Sequence, residues 1–371
     1  MIGDFTIDAT DGPARAATFE TAHGTIRTPV FMPVGTKGTV KALDPRELEA
    51  LGAQIVLGNT YHLHLRPGEE VVRDLGGLHR FMGWERPILS DSGGFQVFSL
   101  RDTLLKVDDD GVTFRSVYDG TAERLTPEGA MGVQAALGSD IAMAFDECPP
   151  GQAERPVVER AVERTARWAE RSVAAPAAPG QMRFGIVQGG VDLDLRRRSA
   201  GQITALPFDG FAIGGLSVGE ERDLTFATTE QVADLLPVQR PRYFMGIGDP
   251  EGVLRVIAAG VDMFDCVLPT RTARTGSALT WEGRLNMHNK RFERDTAPLD
   301  ETCSCPACTR FSRGYIRHLI MQNELLGLRL LSLHNVAFLV SLCGAARCAI
   351  EQGAFAGFLE RSLSRLQAAR P

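Results

Sequence analysis

The chain has 371 residues, of which 44% are hydrophobic and 23% are charged, a composition typical of an ordinary globular protein. Its net charge of -6 argues against a general nucleic-acid binder. Asp4, Asp8 and Asp11 interrupt any apolar run after Met1, and no stretch reaches the ~18 to 20 uninterrupted apolar residues of a membrane span. We therefore expect a cytoplasmic protein with no membrane-spanning segment.

Short apolar runs alternate with amphipathic segments along the first two thirds of the chain. The helix-like segments begin at Asp44-Pro45, Thr126-Pro127 and Asp249-Pro250, with proline at the first helical position. Eight apolar runs are typical of buried strands, namely Pro29–Val34, Ala53–Leu57, Pro87–Ser90, Asp140–Phe145, Arg183–Val187, Gly210–Ile213, Tyr243–Gly246 and Val261–Cys266. Such strands separated by helices indicate a parallel sheet covered on both faces, and eight units favour an α/β fold of the closed (β/α)8 TIM-barrel type.

Other segments do not belong to a minimal barrel. Asp4–Ile26 is typical of a β-hairpin, and Lys106–Arg124 of an inserted hairpin with turns at two Asp-Gly pairs. Two closing helices are expected over Asn335–Ile350 and Phe355–Ala368. The predicted division is an N-terminal hairpin (residues 1–26), a barrel with insertions (27–275), a zinc-binding subdomain (276–335) and closing C-terminal helices (336–371).

Three cysteines near the C-terminus, Cys303, Cys305 and Cys308, are followed by His334. A tight thiol triplet in a chain without a secretory signal favours zinc over a disulfide framework. Three thiolates and one imidazole complete a tetrahedral shell, so the metal would be structural. By spacing alone, His318 could be the fourth ligand as easily as His334.

Polar side chains follow several predicted strands, where the active site of such a barrel lies. Asp91 follows the third strand, Asp146 the fourth, Gln188 the fifth and Asp265 the eighth, and glycine pairs stand nearby. Two carboxylates can cleave a glycosidic bond as nucleophile and as general acid/base. A third can accept the paired N–H donors of a guanine edge. No glycine-rich loop carries the Lys-Ser/Thr of a nucleoside-triphosphate site.

Five runs of sequence resemble the bacterial tRNA-guanine transglycosylases over essentially the whole chain. They are Gly58–Gly68 (GNTYHLHLRPG), Ser90–Gln96 (SDSGGFQ), Phe145–Pro150 (FDECPP), Gly214–Glu220 (GGLSVGE) and Asp262–Arg271 (DMFDCVLPTR). The cysteine and histidine set also matches the zinc site of that family, which favours His334 over His318 as the fourth ligand.

The resemblance implies an enzyme that replaces the wobble-position guanine of tRNAs with GUN anticodons (those for Asp, Asn, His and Tyr). The incoming base would be preQ1, a 7-deazaguanine. Asp265 would be the nucleophile that forms a covalent tRNA–enzyme intermediate. Asp91 would be the general acid/base, and the two displacements would retain configuration.

The resemblance also implies binding residues. Those for the base would be Ser92, Phe95, Asp146, Gln188, Gly214, Gly215, Leu216 and Met245, of which Phe95 and Met245 would sandwich its faces. Those for the tRNA anticodon loop would be Gly246, Gly248, Asp249, Thr270, Arg271, Thr272 and Arg274. RNA sequence is read mostly from unstacked loop bases, so a small basic loop is sufficient.

Partners and base choice follow from the same resemblance. Cys148 and Val218 match the bacterial type, which takes preQ1 rather than queuine. The family implies one structural Zn²⁺ per subunit and a homodimer, in which His318, with Tyr315 and Phe311, would face the partner.

Two other functions would account for part of the sequence. His62-Leu63-His64 after the second strand could begin the metal site of an amidohydrolase, but no further histidine follows a core strand. An inactive zinc-containing RNA-binding partner subunit of the same family would have lost one catalytic aspartate, whereas both Asp91 and Asp265 are present.

Overall fold

The structure, a computed structural model, describes residues 1–368 and begins with a small antiparallel sheet. Its strands are β1 (Phe5–Asp11), β2 (Ala14–Thr21) and β3 (Gly24–Thr28). The predicted N-terminal hairpin therefore has a third strand. The Thr21 hydroxyl donates to the Gly24 carbonyl at 2.8 Å, and Gly24 has a φ of 125°, so the chain turns back along β2.

Eight parallel strands form a closed barrel, which confirms the predicted fold class. They are β4 (Val30–Gly35), β5 (Val56–Gly58), β6 (Ile88–Ser90), β10 (Ile141–Met143), β11 (Met182–Val187), β12 (Gly210–Ile213), β13 (Arg242–Phe244) and β14 (Met263–Cys266). Each overlaps one predicted run. Strand β14 pairs with β4, and β6 pairs with β10, so the sheet has no free edge.

Helices surround the barrel, and four more form most of the C-terminal part of the chain. They are α1 (Pro45–Ala50), α2 (Thr60–Leu65), α3 (Glu69–Asp74), α4 (Gly77–Met82), α5 (Gly94–Ser99), α6 (Pro127–Leu137), α7 (Arg155–Ala174), α8 (Leu193–Thr204), α9 (Arg222–Leu235), α10 (Pro250–Ala258), α11 (Leu268–Arg274), α12 (Pro306–Arg310), α13 (Arg313–Met321), α14 (Leu325–Glu351) and α15 (Phe355–Ala368). The three predicted helix starts are confirmed, because the side chains of Asp44, Thr126 and Asp249 each accept a hydrogen bond from the first helical turn.

A second small sheet is inserted between α5 and α6. It has three strands, β7 (Leu104–Asp108), β8 (Gly111–Arg115) and β9 (Ala122–Leu125), where the sequence predicted two. Asp108 accepts the N–H groups of Asp110 and Gly111 and so closes the first turn. A Cβ at Gly111 would lie 2.3 Å from the Leu125 carbonyl, so only glycine allows β9 to pair there.

Beyond the barrel, a hairpin of β15 (Ser277–Thr280) and β16 (Gly283–Asn286) precedes α12 and α13. Helix α14 begins at Leu325 and not at Asn335 as predicted. The Asn335 side chain is buried and bonds the backbone of Pro269, Ser277 and Leu279, so it does not cap a helix. The domain boundary predicted between residues 335 and 336 lies inside α14. The four-part division of the chain stays a prediction, and residues 369–371 of its last part lie outside the described residues.

Within residues 1–368, α14 is the one helix that is long and apolar enough to cross a membrane. However, 67% of its most apolar window is buried within the protein. It packs against β15, α11, α12 and α13, and against β4 of the barrel. Its apolar character is therefore that of a core helix on which the C-terminal segments assemble.

Candidate active site and metal centre

The polar residues predicted at strand ends converge at the C-terminal end of the barrel. Asp91 follows β6, Asp146 follows β10, Gln188 follows β11, and Asp265 is the next-to-last residue of β14. Strands β6, β10 and β11 are adjacent in the closed sheet, and β14 stands on the other side of the barrel, separated from β6 by β4 and β5 and from β11 by β12 and β13. The barrel thus brings together side chains that are far apart in sequence, in the position where enzymes of this fold carry their sites.

Asp91 is a buried carboxylate with an 8% exposed side chain. Its Oδ2 accepts the Asn59 amide at 2.5 Å, and its Oδ1 accepts the Thr60 backbone N–H at 2.8 Å. The pKa of Asp91 is raised to about 7, mainly by burial; the Thr60 hydrogen bond opposes the rise, and the Asp265 charge adds to it. A carboxyl with that pKa can both donate and accept a proton near neutral pH.

Asp265 has a different environment. Its Oδ1 accepts the Tyr243 hydroxyl at 2.5 Å and the Gly246 backbone N–H at 2.9 Å. Burial raises its pKa, while both of these hydrogen bonds favour the ionised form. The carboxylate is only partly buried, and its Oδ2 has no protein donor among the described residues. One oxygen of Asp265 is therefore held in place, and the other is left without a donor from residues 1–368.

Asp146 is the third buried carboxylate of the site. Its Oδ1 accepts the Ser92 hydroxyl at 3.1 Å, and its Oδ2 accepts the Gln188 amide at 2.7 Å. Burial raises the pKa of Asp146 to about 6, and the two side-chain hydrogen bonds oppose the rise. The Gln188 Oε1 atom is buried, and no donor from residues 1–368 reaches it. An unmet acceptor beside a carboxylate is a suitable site for a planar ligand with N–H donors.

Glycines bring the main chain close to this amide. A Cβ on Gly215 would lie 2.2 Å from Gln188 Oε1, and one on Gly214 would lie 2.9 Å from its Nε2. Beneath them, the fully buried Arg196 donates to the carbonyls of Val187 at 2.8 Å and Gly190 at 2.7 Å. Burial lowers the pKa of Arg196 to about 10. Arg196 therefore fixes the backbone on both sides of Gln188. Leu216, which follows Gly215, is buried in the core.

The two residues expected to sandwich a base lie on different elements of the rim. Phe95 is in α5 directly after Asp91 and is 48% exposed, which is unusual for a phenylalanine. Met245 follows β13 and is partly buried. Both occupy positions open enough to contact a ligand above the carboxylates.

The predicted tRNA-binding residues divide into two groups. Arg271 and Arg274 in α11 are exposed and have no ion-pair partner in the described chain. The others take part in the local structure. The Gly246 backbone donates to Asp265, and Asp249 caps α10 and pairs with Arg222. Thr270 is buried, Thr272 donates to the Leu268 carbonyl at 2.8 Å, and a Cβ at Gly248 would lie 2.3 Å from Cys266 Cβ.

The metal-binding prediction is consistent with the structure, because the ligand atoms of Cys303, Cys305, Cys308 and His334 lie within 4.8 Å of one another. His334 Nδ1 lies 3.2 Å from Cys308 Sγ, and its Nε2 lies 2.7 Å from the Leu279 carbonyl oxygen. That carbonyl accepts a hydrogen bond from the Nε2–H group, so Nδ1 is the nitrogen left for a metal. The donor set and closed geometry fit structural zinc, whereas His318 is not part of the cluster.

The amidohydrolase interpretation finds no support at the barrel rim. His64 pairs with Glu69 at 2.7 Å, and neither His62 nor His64 belongs to a potential metal group in residues 1–368. A second group, His23, His79 and Asp140, lies at the opposite end of the barrel. Its imidazole rings stack 3.5 Å apart, and both donate to the Asp140 carboxylate, so their in-plane lone pairs do not meet at one point. Through its hydrogen bonds, this group connects the turn before β3, helix α4 and the residue before β10.

Sequence reasoning did not single out Tyr243, Asn59, Thr60 and Arg196. Asn59 and Thr60 occur in the GNTYHL run, but nothing local indicates that they hold Asp91. Tyr243 stands inside a strand and would ordinarily be a core residue. An arginine on an amphipathic helix is typical of a solvent-exposed face, so the burial of Arg196 has no sequence signal.

Comparison with known proteins agrees with the site. The family model described as "Queuine tRNA-ribosyltransferase" matches residues 9–368. A "Queuine tRNA-ribosyltransferase" of Thermotoga neapolitana is 57% identical over 355 residues, covering 96% of this chain and 96% of the relative. A protein of the same name from Herpetosiphon aurantiacus is 54% identical over 363 residues, covering 98% and 92%. The chain therefore belongs to the queuine tRNA-ribosyltransferase family of enzymes.

Proposed function

We propose that this enzyme exchanges the wobble-position guanine of tRNAs with GUN anticodons (Asp, Asn, His and Tyr) for preQ1. The observation that carries the proposal is a pair of carboxylates with unlike surroundings. Asp91 is buried and has a pKa of about 7, whereas Asp265 has one oxygen held by two donors. Unlike environments separate the two roles that a glycosidic exchange needs.

In the first displacement, Asp265 Oδ2 attacks C1′ of the wobble ribose. The bond between C1′ and the guanine nitrogen breaks, its electron pair goes to the base, and Asp91 donates a proton to the departing guanine. In the second displacement, Asp91 removes the proton from the incoming base, whose nitrogen attacks C1′ and releases Asp265. Two inversions give retention, and no nucleotide cofactor is consumed.

The base would bind across Asp146 and Gln188, with help from Ser92 and the Gly214–Leu216 backbone. Asp146 accepts N–H donors, and the unpartnered Gln188 Oε1 finds a donor on the base. Phe95 and Met245 stack on its two faces. Cys148, buried close to Asp146, belongs to the bacterial pattern that takes preQ1, and guanine would be accepted as well.

The tRNA would present an unstacked, flipped-out wobble nucleotide, because a stacked base cannot reach the two carboxylates. Arg271 and Arg274 have exposed guanidinium groups next to Asp265 in the chain and would contact the anticodon loop. Gly246, Gly248, Asp249, Thr270 and Thr272 would shape that surface from beneath, as their structural contacts indicate.

Zinc would hold the C-terminal subdomain in place, with one ion per subunit. We also propose a homodimer, which the apolar surface of α13 and α14 supports. Phe311 and Tyr315 stack at 5.5 Å, and Leu325 is 80% exposed. His318 lies on α13, as Tyr315 does. None of the seven cysteines, all of which lie within residues 1–368, forms a disulfide, which suits a reaction in the cytoplasm.

The test is incorporation of labelled guanine into an unmodified tRNA with guanine at the wobble position, next to a transcript with adenine there. We expect exchange in the first only, and its loss in Asp265→Asn. A denaturing gel should show a tRNA adduct of the wild type that is absent from Asp265→Asn. Exchange by Asp265→Asn at the wild-type rate would refute the assignment of the nucleophile.

The alternative function is an inactive RNA-binding partner subunit. It predicts tRNA binding by the folded, zinc-loaded chain without exchange or adduct. The presence of both Asp91 and Asp265, with their hydrogen-bond partners in place, favours the active enzyme.

A further inference from the structure

A group of basic residues lies at the rim of the active site, after the two strands that follow β14 around the closed sheet. Lys37 follows β4, and Arg66 follows α2, which itself follows β5. Strands β4 and β5 lie between β14, which carries Asp265, and β6, which precedes Asp91. Both cations therefore belong to the rim of the same site, but they follow other strands than the arginines predicted to bind tRNA.

These two cations are held together by one aromatic ring. The Arg66 guanidinium lies 4.3 Å from the centre of the Tyr118 ring, and Lys37 Nζ lies 5.4 Å from it. Tyr118 stands in the loop between β8 and β9 of the inserted sheet. The negative face of the ring attracts both charges, so three separate segments converge here. We call Lys37, Arg66 and Tyr118 the Tyr118 cluster.

The positive charge of the cluster is offset only in part: the Ser116 hydrogen bond lowers the pKa of Asp119, and the nearby Arg66 charge contributes to that shift. Lys37 and Arg66 are exposed, and neither forms an ion pair in residues 1–368. Lys41 is close by, and its pKa is lowered by burial and by the charges of Arg274 and Lys37. Like charges kept together on a protein with a net charge of -6 favour an anionic partner.

The proposed function supplies such a partner, and the inference rests on it. A flipped-out nucleotide has a phosphate on each side, and both must cross the rim near Asp265 and Asp91. Arg271 and Arg274 follow β14 and can serve one side. We propose that the Tyr118 cluster binds the tRNA backbone phosphates on the other side of the flipped nucleotide. The inserted sheet, by supplying Tyr118, then contributes to tRNA binding although it is far from the wobble-reading residues.

The test measures KM for tRNA in guanine exchange at several salt concentrations. The variant is Lys37→Ala/Arg66→Ala, and the control is Arg27→Ala/Arg160→Ala, which removes equal charge from exposed positions on β3 and α7. We expect the double variant to raise KM and to flatten the plot of log KM against log salt by about one unit per cation. The control should match the wild type in both respects.

A second variant pair tests the role of the ring. Tyr118→Leu removes the aromatic face and should raise KM, whereas Tyr118→Phe keeps it and should not. Wild-type KM and salt dependence in both Lys37→Ala/Arg66→Ala and Tyr118→Leu would overturn the proposal while the exchange activity stands. A change in sedimentation of the tRNA-free double variant would assign the cations to contact between copies, which also overturns it. Absence of exchange in the wild type would instead refute the proposed function.

Discussion

Substitution of Asp91 by asparagine should change how stability depends on pH. The pKa of the carboxyl is about 7 in the folded protein against an ordinary value of 3.8. Below both values the two states are equally protonated, so Asp91 has no effect. Between them the unfolded chain ionises while the folded one keeps its proton, and stability falls by about 1.4 kcal/mol per pH unit. Above pH 7 the full cost is about 4 kcal/mol.

An asparagine cannot ionise, so Asp91→Asn lacks this loss. Its stability relative to the wild type should rise by about 3 kcal/mol between pH 5 and pH 8. The amide keeps one oxygen as an acceptor but places an N–H group opposite either the Asn59 or the Thr60 donor, which costs about 1–3 kcal/mol. The pH-dependent difference, and not the absolute stability, is therefore the quantity to compare.

The assay is chemical denaturation of the zinc-loaded protein at both pH values. The control is Asp223→Asn, at an exposed position in α9. Its stability should change between pH 5 and pH 8 as the stability of the wild type does. If the difference between Asp91→Asn and the wild type is the same at pH 5 and pH 8, Asp91 ionises like an exposed carboxylate. The physical basis for its acid/base role would then be wrong.

Three further substitutions test the site and the metal centre. Tyr243→Phe should lower kcat about 10- to 100-fold and move the acid limb of the pH–rate profile to higher pH, because it removes a hydrogen bond that favours the ionised nucleophile. Gly215→Ala should raise KM for the base, since its Cβ would lie 2.2 Å from Gln188 Oε1, whereas Gly201→Ala has open space and should leave KM unchanged. Cys308→Ala should reduce bound zinc, measured by elemental analysis, and make the chain around α12 sensitive to protease, because a structural site couples metal binding to folding.

Much of the fold could be predicted from local patterns. Buried parallel strands are short apolar runs, and proline after an N-cap residue marks a helix start, so all eight barrel strands and three helix starts were located. Third strands were missed in both small sheets. In the inserted sheet both turns were predicted at Asp-Gly pairs, but the segments around them were counted as a single hairpin. In the N-terminal sheet the extra pairing depends on a turn closed by the Thr21 side chain, which no periodicity reveals.

The chemistry of the site is divided in the same way between sequence and tertiary structure. The sequence by itself determined which residue types stand at the strand ends, the cysteine triplet and the family. The pKa of Asp91, the hydroxyl that holds Asp265 and the buried Arg196 beneath Gln188 arose only when distant strands closed into a barrel. Burial and charge proximity are properties of three-dimensional neighbours, and they decide which carboxylate keeps its proton. Spacing alone left His318 and His334 equal as the fourth ligand, and the family resemblance favoured His334; the fold supplies the physical reason, because α14 carries His334 to the three thiols and to the Leu279 carbonyl.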